Sequence, residues 1–339
     1  MSSSSPGDTP EAADEPGHDP GQSFDWGDYV AWLVENHGSL AAVAEALAAQ
    51  RGHVEDQGSI ERGLRRLRLR GGRDGGVWGR RALRAFGMPD DVDSRVRWMG
   101  QYHTRFSDLP RPLCLELLRP WDRPPISESP VRSWVQLGLA GVALRGRERV
   151  QAAEHLRQAE RAAEGLSRLE WLLARAFWLG REGADEARAL VDEAIALTES
   201  LRMSLDDRAC YRARCVDHRG WHHNIIERDH ESAAALYAAL PAQGPPFARV
   251  RRDNGLGWSL LRLGRRDEAE ACARRAIEAA GDGGSLRLRV MALGLLGATL
   301  DGVEAEAVRR RAATIAERLD DEILRVRVSR HSMGRGTGC

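Results

Sequence analysis

The chain predicts an all-α protein, a small helical domain followed by an array of helical hairpins, and three observations carry that prediction. From Phe24 onward apolar residues recur at helical spacing. After Ser133 only amphipathic helices follow, separated by short turns carrying Gly or charge, to about residue 328. Within that stretch, small residues and tryptophans return at a nearly constant interval, the signature of a repeated supersecondary unit. A length of 339 residues fits roughly two domains, and a hydrophobic content of 42% suffices for a buried core.

Residues 1–22 hold Asp8, Glu11, Asp14, Glu15 and Asp19 with no arginine and no apolar period, which predicts a disordered acidic tail. Trp26, Tyr29, Val30, Leu33 and Val34 then form one helical stripe, stopped by Gly38. Ser39 caps a second helix, Leu40 to Ala49, that buries Leu40, Val43, Ala44 and Leu47. After the polar turn RGHVEDQG, Ser59 is expected to cap a third helix, Ile60 to Arg70, with Ile60, Leu64 and Leu67 inward. A fourth element, Val77 to Phe86, ends at Gly87 and Pro89, so the domain spans 24–88. Residues 89–130 read as a connector. DSRVRWMGQYHTRF is expected to form one helix, and the six prolines from Pro110 to Pro130 leave room only for a two-turn helix at Leu113 to Leu118. The hairpin array occupies 131–328, and 329–339 is expected to fray.

Charge and cysteine content narrow the function. Arginine supplies all 50 cations against 50 carboxylates, so net charge is zero and a globally basic nucleic-acid binder is disfavoured. Without lysine there is no Schiff-base lysine, no phosphate-loop lysine and no kinase strand lysine. Cys114, Cys210, Cys215, Cys272 and Cys339 are odd in number and irregularly spaced, as in a reducing compartment. The first residues lack the basic and apolar regions of a secretion signal, and the most apolar windows, Trp134 to Leu144 and Met291 to Leu300, are too short to span a bilayer. The expectation is a cytoplasmic protein with no membrane association.

In the last third, Leu256, Gly257, Leu260, Gly264, Ala269, Ala273 and Ala276 stand where two antiparallel helices need small residues at their crossing. The segment LGWSLLRLGRRDEAEACARRAIE resembles the tetratricopeptide (TPR) family closely. The triplet of the second helix recurs as Ala233, Tyr237, Leu240, as Ala187, Val191, Ala194, and as Ala152, Leu156, Ala159. Their first members are 35, 46 and 36 residues apart, against a family period of about 34. The long middle interval predicts elongated helices near Leu190 to Ala213. Trp134 and Trp171 are 37 apart, as are Gly220-Trp221 and Gly257-Trp258. A degenerate fifth pair, Leu286 to Leu300 with Val303 to Leu319, suits a capping unit. The resemblance, over about 130–320, implies a TPR-like superhelical solenoid whose first helices line a groove for a protein or peptide. The groove-facing positions it implies are Arg214, Asp217, Trp221 and Asn224 in one copy and Arg251, Asn254, Trp258 and Arg262 in the next. Asn bonds an extended backbone, Arg a carboxylate, and Trp offers a flat apolar face. The competing reading packs the tryptophans between repeats and leaves the arginines as a solvated face.

Residues 39–70 read as helix, turn, helix, and the second helix is cationic. Nine arginines against Glu61 and Asp74 give Ser59 to Arg84 a local charge of +7. The segment from Gly38 to Arg68 resembles a helix-turn-helix domain, and GGRDGG could be a wing-like loop. The resemblance implies a reading helix in the DNA major groove, with Arg62 and Arg66 nearest base edges, Arg65, Arg68 and Arg70 beside phosphates, and Arg73 as a further DNA-binding candidate. The turn departs from that pattern, being long and holding Glu55 and Asp56. The alternative is a helical cap whose basic face docks the acidic tail or a protein.

No dinucleotide, zinc-protease, nucleophile-elbow or EF-hand pattern occurs. Cys215, His218 and His222 share one helix face and form a weak metal candidate, lacking a second ligand pair on another element. His103 has no spaced carboxylate partner in sequence and reads as structural. The expected function is therefore a non-enzymatic regulator without cofactor, coupling a repeat groove to an Arg-rich DNA-binding domain. A pure protein adaptor that never touches DNA is the alternative.

Overall fold

The computed structural model describes residues 23–50 and 55–333, and among these every regular element is helical. The chain is all-α, compatible with a helical solenoid. The acidic tail at 1–22 lies outside the described residues, as do 334–339.

Four helices form the N-terminal unit: α1 (Trp26–His37), α2 (Leu40–Ala48), α3 (Gln57–Arg68) and α4 (Gly76–Phe86). Their apolar stripes converge on one core in which Trp26, Tyr29, Leu33, Leu47, Ile60 and Leu64 are fully buried. Local capping explains their boundaries. Asp25 and Asp28 form a reciprocal capping box at the start of α1, and Gly38, at φ +85°, ends it in the left-handed conformation. Ser39 caps α2 as expected. The third helix starts earlier than its apolar period indicates, because Asp56, not Ser59, is the cap. The Asp56 carboxylate accepts from the Ser59 backbone N–H at 2.9 Å.

The 89–130 segment differs from expectation in two ways. The helix after Pro89 stops at Gly100, giving α5 (Asp90–Gly100), and Gln101 is already extended. At that point α5 crosses α7 (Arg132–Arg145) so closely that a Cβ on Gly100 would lie 2.3 Å from the Trp134 carbonyl oxygen. Gln101 to Thr104 then form a turn, followed by a 3-10 turn at Arg105–Asp108 and by α6 (Arg111–Leu118). The proline-rich stretch is also no loose tether. Phe106, Cys114, Leu118, Trp121 and Ile126 are buried in the same core as Trp134, Val135 and Leu169 of the array.

From α7 onward the helices pair. The partners are α7 with α8 (Arg149–Glu160), α9 (Gly165–Leu179) with α10 (Ala184–Ser200), and α11 (Leu205–His222) with α12 (His230–Ala238). Two more pairs follow, α13 (Pro246–Arg262) with α14 (Arg266–Asp282) and α15 (Leu286–Thr299) with α16 (Gly302–Arg318). The small-residue triplets sit at these crossings: Ala152, Leu156 and Ala159, Ala187, Val191 and Ala194, and Ala269, Ala273 and Ala276 are all buried. In the remaining copy Ala233 and Tyr237 are buried, while Leu240 lies past the end of α12. The expected elongation near 190–213 is present, with α10 running 17 residues and α11 18 before a π-helical turn at His223–Glu227.

The odd-numbered helices touch one another in chain order, α7, α9, α11, α13 and α15, and so form an inner layer. A last helix, α17 (Glu322–Met333), packs against both α15 and α7, so the cycle of inner contacts closes. Backbone helix thus continues past 328, where fraying was expected.

Candidate functional site

The first site is the cationic face of α3. Ile60, Gly63, Leu64 and Leu67 turn inward, which leaves Arg62, Arg65, Arg66 and Arg68 exposed along the outer side, with Arg70 and Arg73 exposed beyond it. Gly63 is the point of closest approach to α4, since a Cβ there would fall 2.3 Å from the Trp78 ring. Glu61 pairs with Arg65 at 2.5 Å. Glu55 pairs with Arg81 of α4, whereas Asp56 is engaged by the backbone N–H that it caps. The GGRDGG segment is not a projecting wing. The Trp26 indole N–H donates to the Arg73 carbonyl at 2.9 Å, the Trp26 backbone N–H reaches Gly71, and the Gly75 N–H donates to Glu128, so the segment is held inward at three points.

The second site is the interior enclosed by the inner helices, which the chain's own segment from Gln101 to Asp108 enters. Tyr102 lies at its centre. Its ring faces the guanidinium carbons of Arg214 on α11 at 5.0 Å, Arg251 on α13 at 5.5 Å and Arg287 on α15 at 5.2 Å. The Arg251 Nη2 donates to the Tyr102 hydroxyl at 2.7 Å, and Phe247 packs edge-on at 6.2 Å. Burial alone raises the hydroxyl's pKa, but Arg251, Arg287, Arg327 and Arg214 together outweigh it and bring Tyr102 to about 8.

Each arginine is fixed from behind. Arg214 makes a two-pronged bond to Glu170 of α9 at 2.6 and 2.7 Å, and Arg251 donates to Asp217 of α11 at 2.7 Å. Arg287 pairs at 2.9 Å with Asp321, which is fully buried and lies 3.3 Å from Arg145 of α7 as well. The inward segment is tied along its length. Gln101 donates to Asp207 and to the Tyr211 hydroxyl, His103 meets Asp207 at 3.1 Å, and Asp108 accepts from the Ser285 hydroxyl and the Arg287 N–H. His103 therefore does have a carboxylate partner, 104 residues away. That hydrogen bond, with those from Ser204 and the charge of Arg97, holds Asp207 down to about 2 against burial.

The sequence-derived groove positions divide. Arg214, Arg251 and Asn254 are buried toward the interior, and Asp217 is half-buried as the partner of Arg251 and Tyr237. Asn224 is buried and donates to the Ser259 hydroxyl between α11 and α13, so it acts in helix packing. Trp221 and Trp258 are half-buried, and Arg262 is exposed with its guanidinium 5.7 Å from the Trp258 ring. Sequence reasoning missed Tyr102, Glu170, Arg287 and Asp321. The intervals from Arg214 to Arg251 and Arg251 to Arg287, 37 and 36 residues, are the signal that could have found the third arginine.

The metal candidate does not assemble. Burial pushes the Cys215 thiol up to about 11, which keeps it protonated, and pushes His218 down to about 4. His222 turns to Glu227 at 3.2 Å, and among the described residues no group of three His, Cys, Asp or Glu side chains could hold a metal ion. The four cysteines described, Cys114, Cys210, Cys215 and Cys272, are free and buried. No helix of the described residues is long and apolar enough to cross a membrane. No protein-family model matches the chain, and no curated protein is similar to it in sequence.

Proposed function

We propose that the protein is a non-enzymatic regulator in which an Arg-rich helical unit engages double-stranded DNA and a TPR-like helical array, of the kind that takes a protein or peptide, controls that engagement. The observation that carries it is the outer side of α3, where Arg62, Arg65, Arg66 and Arg68 stand exposed on a unit with its own core. Arginine there serves phosphate contact and base reading alike, and Glu55 and Glu61, two of the carboxylates that would oppose DNA, are paired with Arg81 and Arg65. The coupling follows from connectivity. Only Gly87, Met88 and Pro89 separate α4 from α5, and α5 ends in the segment that enters the array.

The test is anisotropy of a labelled duplex titrated with the intact chain and with a variant carrying Arg62, Arg65, Arg66 and Arg68 all as Gln, at two salt concentrations. About five phosphate contacts give a double-logarithmic salt slope near −4.5, and the quadruple variant is expected to lose most of the affinity and flatten the slope. Helicity by circular dichroism checks that the variant is folded. If the intact chain fails to bind even at low salt, the protein is an adaptor and the α3 face docks protein.

A further inference from the structure

The interior arginines follow the helical repeat. Arg214, Arg251 and Arg287 occupy one position on three successive inner helices, and all three face a single tyrosine. Three residues after Arg214 comes Asp217, which serves as the anion for Arg251 on the next helix. Three residues after Arg251 the pattern changes, because the equivalent position is Asn254. Asn254 is 5% exposed and its side-chain oxygen has no hydrogen-bond partner, and the Arg251 Nε and His103 Nδ1 are likewise buried and unpartnered. A cavity of about 170 Å³ opens beside the inward segment, lined by Tyr102, His103 and Asp108 of that segment and by Phe247, Ser285 and Arg287 of the helices around it. A buried donor and a buried acceptor on α13 left unmatched by the chain, together with open volume beside the segment that fills the interior, mark a recognition site whose present occupant fits incompletely.

We propose that this interior is a binding site for tyrosine-bearing peptide, that the chain's own segment from Gly100 to Asp108 is its resident ligand with Tyr102 as the anchor, and that an external peptide of the same chemistry competes with it. This rests on reading the array as a ligand-binding surface, though not on DNA binding. Three guanidiniums around one ring favour an electron-rich aromatic, and the bond from Arg251 to the hydroxyl selects tyrosine over phenylalanine. The resident segment covers the site, so an external peptide binds only as that segment withdraws.

The experiment uses the full-length chain and a labelled synthetic peptide with the sequence of residues 99–109, MGQYHTRFSDL. Wild-type protein, Tyr102→Phe and Tyr102→Ala are titrated by anisotropy, with circular dichroism confirming that each is folded. The expected result is weak binding to wild type and at least about tenfold tighter binding to Tyr102→Ala. Tyr102→Phe, which retains the ring, lies between them and decides the question if Tyr102→Ala does not fold. A second peptide with Phe in place of Tyr binds about tenfold more weakly than the first. Equal affinity of the peptide for wild type and the folded variants, or binding to none, overturns the proposal. Loss of peptide binding with duplex binding intact sinks this inference alone, whereas peptide binding without duplex binding leaves it standing and sinks the DNA reading.

Discussion

Tyr102 differs from the other three tyrosines in the sign of what surrounds it. Tyr29, Tyr211 and Tyr237 are all raised above the ordinary value of 10, each by burial first, and for Tyr211 and Tyr237 also by neighbouring Glu170 and Asp217. Tyr102 is half-buried and its hydroxyl is likewise desolvated, yet four arginines bring it to about 8. A spectrophotometric titration at the tyrosinate band should therefore show a single tyrosine ionising near pH 8, and Tyr102→Phe should abolish that step while leaving the alkaline ones. The linkage follows with its sign. Between pH 8 and 10 the unfolded chain still holds the proton that the folded chain has released, so stability rises with pH across that window. The contribution is complete above 10 and is lost as the pH falls through 8. Denaturant midpoints for wild type that climb no more over this range than those of Tyr102→Phe would contradict the arginine cluster.

At the scale of elements, the helical period and the small-residue contacts between helices were legible because they are local. A stripe such as Trp26, Tyr29, Val30 and Leu33, or a triplet such as Ala269, Ala273 and Ala276, depends only on which side of one helix meets a neighbour. The inward turn after Gly100 was not legible. DSRVRWMGQYHTRF has acceptable helical period throughout, and what ends the helix is contact with Trp134 and with partners more than 100 residues away. Close approach makes its own prediction. Tyr237 of α12 is held between Gly220 of α11 and Gly255 of α13, where an added Cβ would lie 2.4 and 2.0 Å from the phenol ring. Gly255→Ala should cost roughly 1–3 kcal/mol by overpacking. Gly294 of α15 is also helical but has nothing within 4 Å of an added Cβ, so Gly294→Ala should stabilise by roughly 0.5–1 kcal/mol. Opposite shifts of the denaturant midpoint are the expected outcome, and a tolerated Gly255→Ala would mean that α12 and α13 are farther apart than described.

At the scale of the whole molecule, the decisive feature is that the inner helices close on themselves, which no local pattern in the sequence announces. An open array distributes stability between nearest neighbours, so damage at one end stays at that end. Here the last inner helix is joined to the first through one carboxylate. Asp321 pairs with Arg287 of α15 and Arg145 of α7 and accepts from the Leu324 N–H at the start of α17, while Arg145 also donates to the Leu109 and Leu319 carbonyls. Asp321→Ala leaves two largely buried guanidiniums without their shared anion, and breaking a buried pair in this way costs about 3–5 kcal/mol. Asp321→Asn, which keeps the shape and can still accept from Leu324, should lose less. The distinguishing readout is where the loss is felt. In a closed ring, hydrogen exchange in Asp321→Ala should accelerate in α7 and in the segment carrying Tyr102 together with α15 and α17, because all of them converge on the same carboxylate and its arginines. Acceleration confined to α15, α16 and α17 would mean an open array, and the resident segment would then be held by the middle repeats alone.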